Sequence, residues 1–261
     1  MVGNISVLGL LLAAGLANGA ARAADDLCAE RPGQTSLPCI AAAGDILLET
    51  ALVDWTRVRG DGEHTDTFLL ADTLVRIGVG GGNELQLGWT PLGTQRKRDG
   101  GLSRRARAGD ASVALKYGIV GYDGPVAITI RATIPVGREP IGDGDWSAAV
   151  LLPAELPLTD KVKFAITPEI DAAVDEDGHG RHVSFGGAAG VSFDVTDAIA
   201  VSGDISAFRD QDPAGHATMS LLGTAIAWQP SSRFQIDAGT NMGLTRSSPD
   251  VEIYFGIVRK L

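Results

Sequence analysis

The stretch "VKFAITPEIDAAV", residues 162–174, alternates in polarity along most of its length. Val162, Phe164, Ile166, Ile170, Ala172 and Val174 fall on one side, and Lys163, Thr167, Glu169 and Asp171 on the other. A side-chain period of two puts successive residues on opposite faces of a β-strand, so this segment has an apolar face and a charged one. "VAITIRATI" (126–134) repeats the split, with Val126, Ile128, Ile130 and Ile134 against Thr129, Arg131 and Thr133. "NELQLGWT" (83–90) sets Leu85, Leu87 and Trp89 against Glu84, Gln86 and Thr90. The chain ends on "VEIYFGIVRKL" (251–261), whose odd-numbered residues begin Val251, Ile253, Phe255, Ile257. These apolar faces need a burying phase, which is either protein or lipid.

Working outward, twelve such segments are expected, at 46–57, 66–78, 83–92, 110–119, 126–135, 147–156, 162–174, 182–194, 199–208, 216–228, 234–243 and 251–261. The first two and the tenth alternate poorly. Their connections sort into two kinds. "GVGGG", "VGYDGP", "PLTDK", "TDA" and "QPSSR" are short; the intervening "GDGEHTD", "GTQRKRDGGLSRRARAG", "GREPIGDGD", "DEDGHGR", "DQDPAGH" and "LTRSSPD" are mostly longer and more charged. An even number of strands with tight turns at one end and long loops at the other is the layout of an outer-membrane barrel. Aromatics support it. Trp55, Trp89, Trp146, Phe68, Phe185 and Phe208 lie near loop ends, and Tyr117, Tyr122, Phe164, Phe193, Trp228 and Phe234 near turn ends, whereas a globular core would hold them mid-strand. The expected fold is all-β, a transmembrane antiparallel up-and-down barrel over residues 45–261.

The amino terminus points to export. "ISVLGLLLAAGLANGAA" precedes Ala21-Arg22-Ala23, which reads as a signal peptide over residues 1–23. Beyond it no apolar run approaches the roughly 18 residues of a membrane helix. Residues 24–44 are expected to form a periplasmic segment, and in an oxidising compartment Cys28 and Cys39 should pair. Lying just before the first strand, this segment is placed to enter the lumen as a small plug. The net charge of −10 argues against a general nucleic-acid binder.

"LLETALVDWTRVR" (47–59) and "SSPDVEIYFGIVRKL" (247–261) resemble the ends of a bacterial outer-membrane transporter family, the MetA-pathway phenol-degradation family. The matching residues are Glu49, Thr50, Leu52, Val53, Asp54 and Trp55, then Gly243, Leu244, Ser248, Pro249 and Asp250. Ala51 stands where the family has Gly, and Met242 separates Asn241 from Gly243. The resemblance implies a barrel that moves small, often hydrophobic or aromatic, solutes and supplies no catalytic residues.

If the apolar faces meet lipid, the inward set is Glu84, Lys116, Arg131, Glu155, Lys163, Glu169, Asp171, Asp194, Asp204, Asp237 and Glu252, joined by Glu49, Asp72 and Arg76. Arg or Lys on the lipid face at mid-depth costs about 2–4 kcal/mol, so these groups face the lumen, either paired across a filled barrel or wet in an acidic pore. The basic loop Arg96, Lys97, Arg98, Arg104, Arg105, Arg107 suits lipopolysaccharide phosphates, a fold over the mouth, or plain solvent. It lacks the aromatics that nucleic-acid stacking uses. His182 and Ser184 share a strand face in a spacing that resembles outer-membrane lipid A deacylases, which keeps a lipid hydrolase as the alternative to a channel. Asp175, Asp177, His179 and His182 lack any recognised metal-loop spacing. No enzyme, cofactor or metal is expected; a monomer is, with partners limited to membrane lipid, lipopolysaccharide, a small solute and the barrel-assembly machinery.

Overall fold

In the computed structural model the described residues are 27–60 and 62–261; the expected signal peptide and residues 24–26 lie outside them. The alternating segments form β1 (Ile46–Arg59), β2 (His64–Gly80), β3 (Asn83–Trp89), β4 (Leu92–Asp99), β5 (Gly101–Arg107), β6 (Ala111–Gly118), β7 (Ala127–Ile134), β8 (Ser147–Leu151), β9 (Ala154–Pro157), β10 (Val162–Val174), β11 (Arg181–Thr196), β12 (Ile199–Asp210), β13 (Ala217–Ser231), β14 (Phe234–Gly243) and β15 (Val251–Lys260). Every ladder between them is antiparallel, and β1 pairs with both β2 and β15, so the sheet closes. No helix occurs among the described residues.

The fifteen strands make twelve staves, because three are not separate walls. β3 and β4 lie end to end along β2, broken beside Pro91, and β8 and β9 lie end to end along β10, broken beside Pro153. Proline has no N–H for the ladder, which accounts for both breaks. β5 pairs only with β4. The expected strand 83–92 is therefore two pieces, and the basic stretch read as a loop is a β-hairpin standing above the barrel wall. The short connections and both ends of the barrel chain, Ile46 and Lys260, share one rim.

Burial is inverted relative to a water-soluble protein. Arg76 and Glu84 are 0 % exposed and Lys116 1 %, whereas Leu115 is 62 %, Ile130 57 % and Ile170 52 % exposed. Apolar side chains turned out all round a closed wall and charges turned in are stable only if lipid covers the outside. Trp89, Trp146, Phe185, Tyr117, Phe193 and Trp228 are among the exposed residues, at the two ends of this band.

The poor alternation of the first two strands has a local cause. The β1–β15 register shifts between Ala51 and Val53, and Ala71 in β2 has φ 56°. An extra residue in each strand reverses its inside-outside parity. Asp54 then pairs with inward Tyr254, while Trp55 pairs with Phe68 and outward Ile253.

Residues 27–44 contain no strand and lie inside the barrel. Leu27, Ala29 and Ala41 pack with Leu47 of β1 and Val258 of β15 in a small apolar cluster. Cys28 and Cys39 are disulfide-bonded. Where the segment passes the rim, a Cβ on Gly78 would sit 2.0 Å from the Ala42 carbonyl oxygen, so only glycine permits this approach.

Candidate functional site in the lumen

Arg76 organises one side of the lumen. Its Nε and Nη2 donate to the two Glu84 oxygens at 2.7 and 2.8 Å, and Nη1 donates to Glu49 at 2.9 Å. The same guanidinium donates to the carbonyls of both half-cystines, Cys28 and, at 3.2 Å, Cys39. Glu49 accepts the Glu30 and Arg31 amides, Glu84 accepts the Ala41 amide at 2.6 Å, and Lys116 donates to the Glu30 carboxylate and the Leu37 carbonyl. Farther round, Arg31 pairs with Asp237 at 2.8 Å and lies over the Tyr254 ring at 5.4 Å. A Cβ on Gly256 would sit 2.5 Å from this guanidinium. The plug is thus clamped ionically to β1, β2, β3, β6 and β14. Charge-assisted, buried and bidentate bonds of this kind are the strong ones.

The opposite side is held differently. Thr167 donates to the Ser36 carbonyl at 2.9 Å, Ser206 to Gln34 Oε1 at 2.5 Å, and Thr35 to Asp204 at the limiting distance of 3.5 Å. Below these contacts a cavity of about 420 Å³ separates the plug from the wall and is lined by Glu155, Lys163, Asp194 and Asp204 among others. Above them, a second cavity of about 640 Å³ fills the mouth, lined by Glu139, Asp143, Asp171, Asp175, Glu176, Ser184 and Asp210. Both cavities run along β10, β11 and β12.

The lumen above the plug is acidic. Arg131, 40 % exposed, meets Glu169 at 2.6 Å and Asp171 at 4.0 Å. Glu252 accepts from Asn241 at 2.8 Å and Asp72 from Thr90 at 2.6 Å. The buried Asp54 Oδ1 has no hydrogen-bond partner among the described residues. In the loops around the mouth, burial and the neighbouring Asp110 push the Asp143 carboxyl up. The Ala214 and Glu176 amides, with His182, hold Asp212 below the usual carboxylate range.

The inward set of the sequence therefore divides by partner. Glu84, Lys116, Asp204 and Asp237 meet the plug; Arg131, Glu169 and Asp171 meet one another; Glu155, Lys163 and Asp194 line the lower cavity; Glu252 stands above Arg31's side. Sequence reasoning did not single out Glu30 and Arg31, because a segment without strand alternation assigns its charges no face. His182 is not set up against Ser184. Its Nδ1 lies 2.9 Å from Asp175 and its Nε2 2.8 Å from Asp210, and no hydrogen bond joins it to Ser184. Of the possible cation ligands, Asp175 and His182 come together with Asp212, their ligand atoms within 4.8 Å, while the Asp177 carboxylate caps the His179 amide. The imidazole itself fills the space between these carboxylates and ties loop 175–180 to loop 211–216.

A closed twelve-stranded antiparallel wall with lipid-facing apolar residues, charged lumen and tight turns at one rim defines an outer-membrane β-barrel. The chain belongs to the family described as "Putative MetA-pathway of phenol degradation", which matches residues 29–259. Among solved structures, an outer membrane channel from Pseudomonas putida F1 is similar at 13 % identity, with a TM-score of 0.66 over 88 % of this chain and 99 % of that one. The NanC porin is similar at 10 % identity and TM-score 0.52, over 82 % of this chain and 100 % of its own. The translocator domain of the autotransporter NalP from Neisseria meningitidis is similar at 11 % identity and TM-score 0.53, over 84 % and 89 %. At such identities the likeness is one of fold. No curated protein matches.

Proposed function

We propose that this protein is a passive outer-membrane channel for small neutral or cationic organic solutes, with residues 27–44 forming a plug fixed on one side and passable on the other. The carrying observation is the asymmetry of the plug's attachment: ion pairs through the buried Arg76 and Lys116 on one side, and, on the other, hydrogen bonds through Thr167, Ser206 and Asp204 without an ion pair among the described residues. Cavities above and below those hydrogen bonds follow the same three strands. Opening the route costs a few net hydrogen bonds, each worth about 0.5–1.5 kcal/mol, and leaves the ionic clamp untouched. The carboxylates Asp54, Asp72, Glu169, Asp171 and Glu252 outnumber Arg131 along the lumen, which disfavours anions. A small aromatic solute would agree with the family's description. The hydrogen bond between His182 Nδ1 and Asp175, with none to Ser184 among the described residues, speaks against the hydrolase alternative.

The test is conductance of the purified full chain in planar bilayers, paired with solute uptake by a deletion strain. Discrete, cation-preferring steps are expected, and Ala165→Trp, which fills the lower cavity, should cut them several-fold while the barrel stays folded. Silence in bilayers together with unchanged uptake would leave a permanently plugged scaffold as the reading.

A further inference from the structure

The β4–β5 hairpin separates its cations by face. Arg96 lies opposite Arg104, and Arg98 opposite Leu102; alternating with them, Lys97 lies opposite Ser103, Gln95 opposite Arg105 and Gly93 opposite Arg107. Phe68 of β2 shows which face looks outward. Its ring lies 6.4 Å from that of Trp55, whose other cross-strand neighbour is the lipid-facing Ile253, and the Arg96 guanidinium lies 5.6 Å over Phe68. Arg96, Arg98 and Arg104 therefore point sideways, away from the barrel axis, by the period-two rule. Lys97, Arg105 and Arg107 belong to the face turned toward the mouth, where a Cβ on Gly93 would run into Ile141 of loop 135–146.

The outward cluster has no internal answer to its charge. Like charges directly opposite each other on one sheet face repel. Arg96, Arg98 and Arg104 have no carboxylate partner among the described residues, in a chain whose net charge is −10. Asp66, across from Arg96, is already held by Arg57 at 2.7 Å. The cluster also sits at a particular height. Arg96 lies opposite Asp66 in the β2–β4 ladder, two residues beyond Phe68, which places its Cα about 6–7 Å past the aromatic pair that ends the lipid band.

We propose that this outward face docks the phosphate groups of lipopolysaccharide in the surrounding outer leaflet. Acyl chains would lie against Trp55 and Phe68, and the Arg96 and Arg104 forks, about 4.5–5.5 Å apart at Cβ, would share one phosphate. Arginine suits the role because its planar fork matches phosphate oxygens, which a lysine ammonium does not. The inference rests on the outer-membrane fold and not on conductance, so it stands or falls separately from the channel.

The experiment uses the folded full chain in detergent, checked by heat-modifiable gel mobility, with bisphosphorylated lipid A, the same lipid stripped of phosphates, and inorganic phosphate as probes. Native mass spectrometry reads the bound fraction. The wild type should prefer the bisphosphorylated lipid by about tenfold or more, and Arg96→Ala/Arg98→Ala/Arg104→Ala should abolish that preference. The opposite-face triple, Lys97→Ala/Arg105→Ala/Arg107→Ala, removes the same charge and should keep it within about twofold. If the outward triple does not fold, Arg96→Lys/Arg104→Lys keeps the charge, loses the fork and should show an intermediate preference. Equal losses in the two triples, no phosphate preference in the wild type, or equally tight binding of inorganic phosphate would each overturn the proposal.

Discussion

Arg76 shows what a single residue does in this lumen. It is fully buried and satisfies two carboxylates and two carbonyls, so its removal leaves Glu49 and Glu84 unpaired. Arg76→Met should destabilise the barrel by about 3–5 kcal/mol, read as a lower urea midpoint for loss of the heat-modifiable form. Arg131 is the contrasting case, since it is 40 % exposed to the lumen and its ion pair is solvated. Arg131→Ala should change stability by less than about 1 kcal/mol and raise cation preference in bilayers, because it removes a cation that faces Glu169 and Asp171. The inward orientation of Arg131 is legible from alternation and depth cost, and that of Arg76 from depth cost alone, because the bulge in β2 hides its alternation. Their different partners are not legible, since Arg76 meets the plug and Arg131 meets Glu169 across the intervening β8, contacts that only the three-dimensional register sets.

At the scale of elements, the plug and the hairpin depart most from what local pattern supplies. The disulfide closes a loop between residues separated by 11 positions, and such closure contributes about 2–3 kcal/mol by restricting the open chain. Cys28→Ser/Cys39→Ser should loosen the half of the plug attached to Thr167 and Ser206, raising mean conductance while the folded band on gels is unchanged; equal conductance would argue that the ionic clamp alone orders the segment. In sequence the hairpin reads as a loop because its charges mask its alternation: Arg and Lys occupy both faces, so no apolar stripe marks a strand. The bulges at Leu52 and Ala71 hid the parity of β1 and β2 for a related reason, since a pattern with an extra residue matches neither phase throughout.

For the molecule as a whole, the lipid-facing surface is the folding requirement. Phe255, 41 % exposed, lies mid-strand on β15, the stave that closes the wall against β1. Phe255→Arg should cost about 2–4 kcal/mol and lower the fraction of chains reaching the heat-modifiable state, whereas Tyr254→Phe on the lumen face should leave assembly intact. By itself the sequence determined an all-β, twelve-stave barrel, its short and long rims, the apolar and charged faces of the regularly alternating strands, and the family signature at its ends. Those properties are local: period-two alternation, turn residues and strand count do not depend on what lies across the lumen. Only the tertiary structure decided how residues 27–44 are tied inside the barrel, that Arg31 answers Asp237 from 206 positions away, that His182 is hydrogen-bonded to Asp175 rather than to Ser184, and that the basic segment is a two-faced hairpin. Closing the wall brings distant charges within a few ångströms in a low-dielectric interior, where pairing is set by three-dimensional register, and no local pattern carries that register.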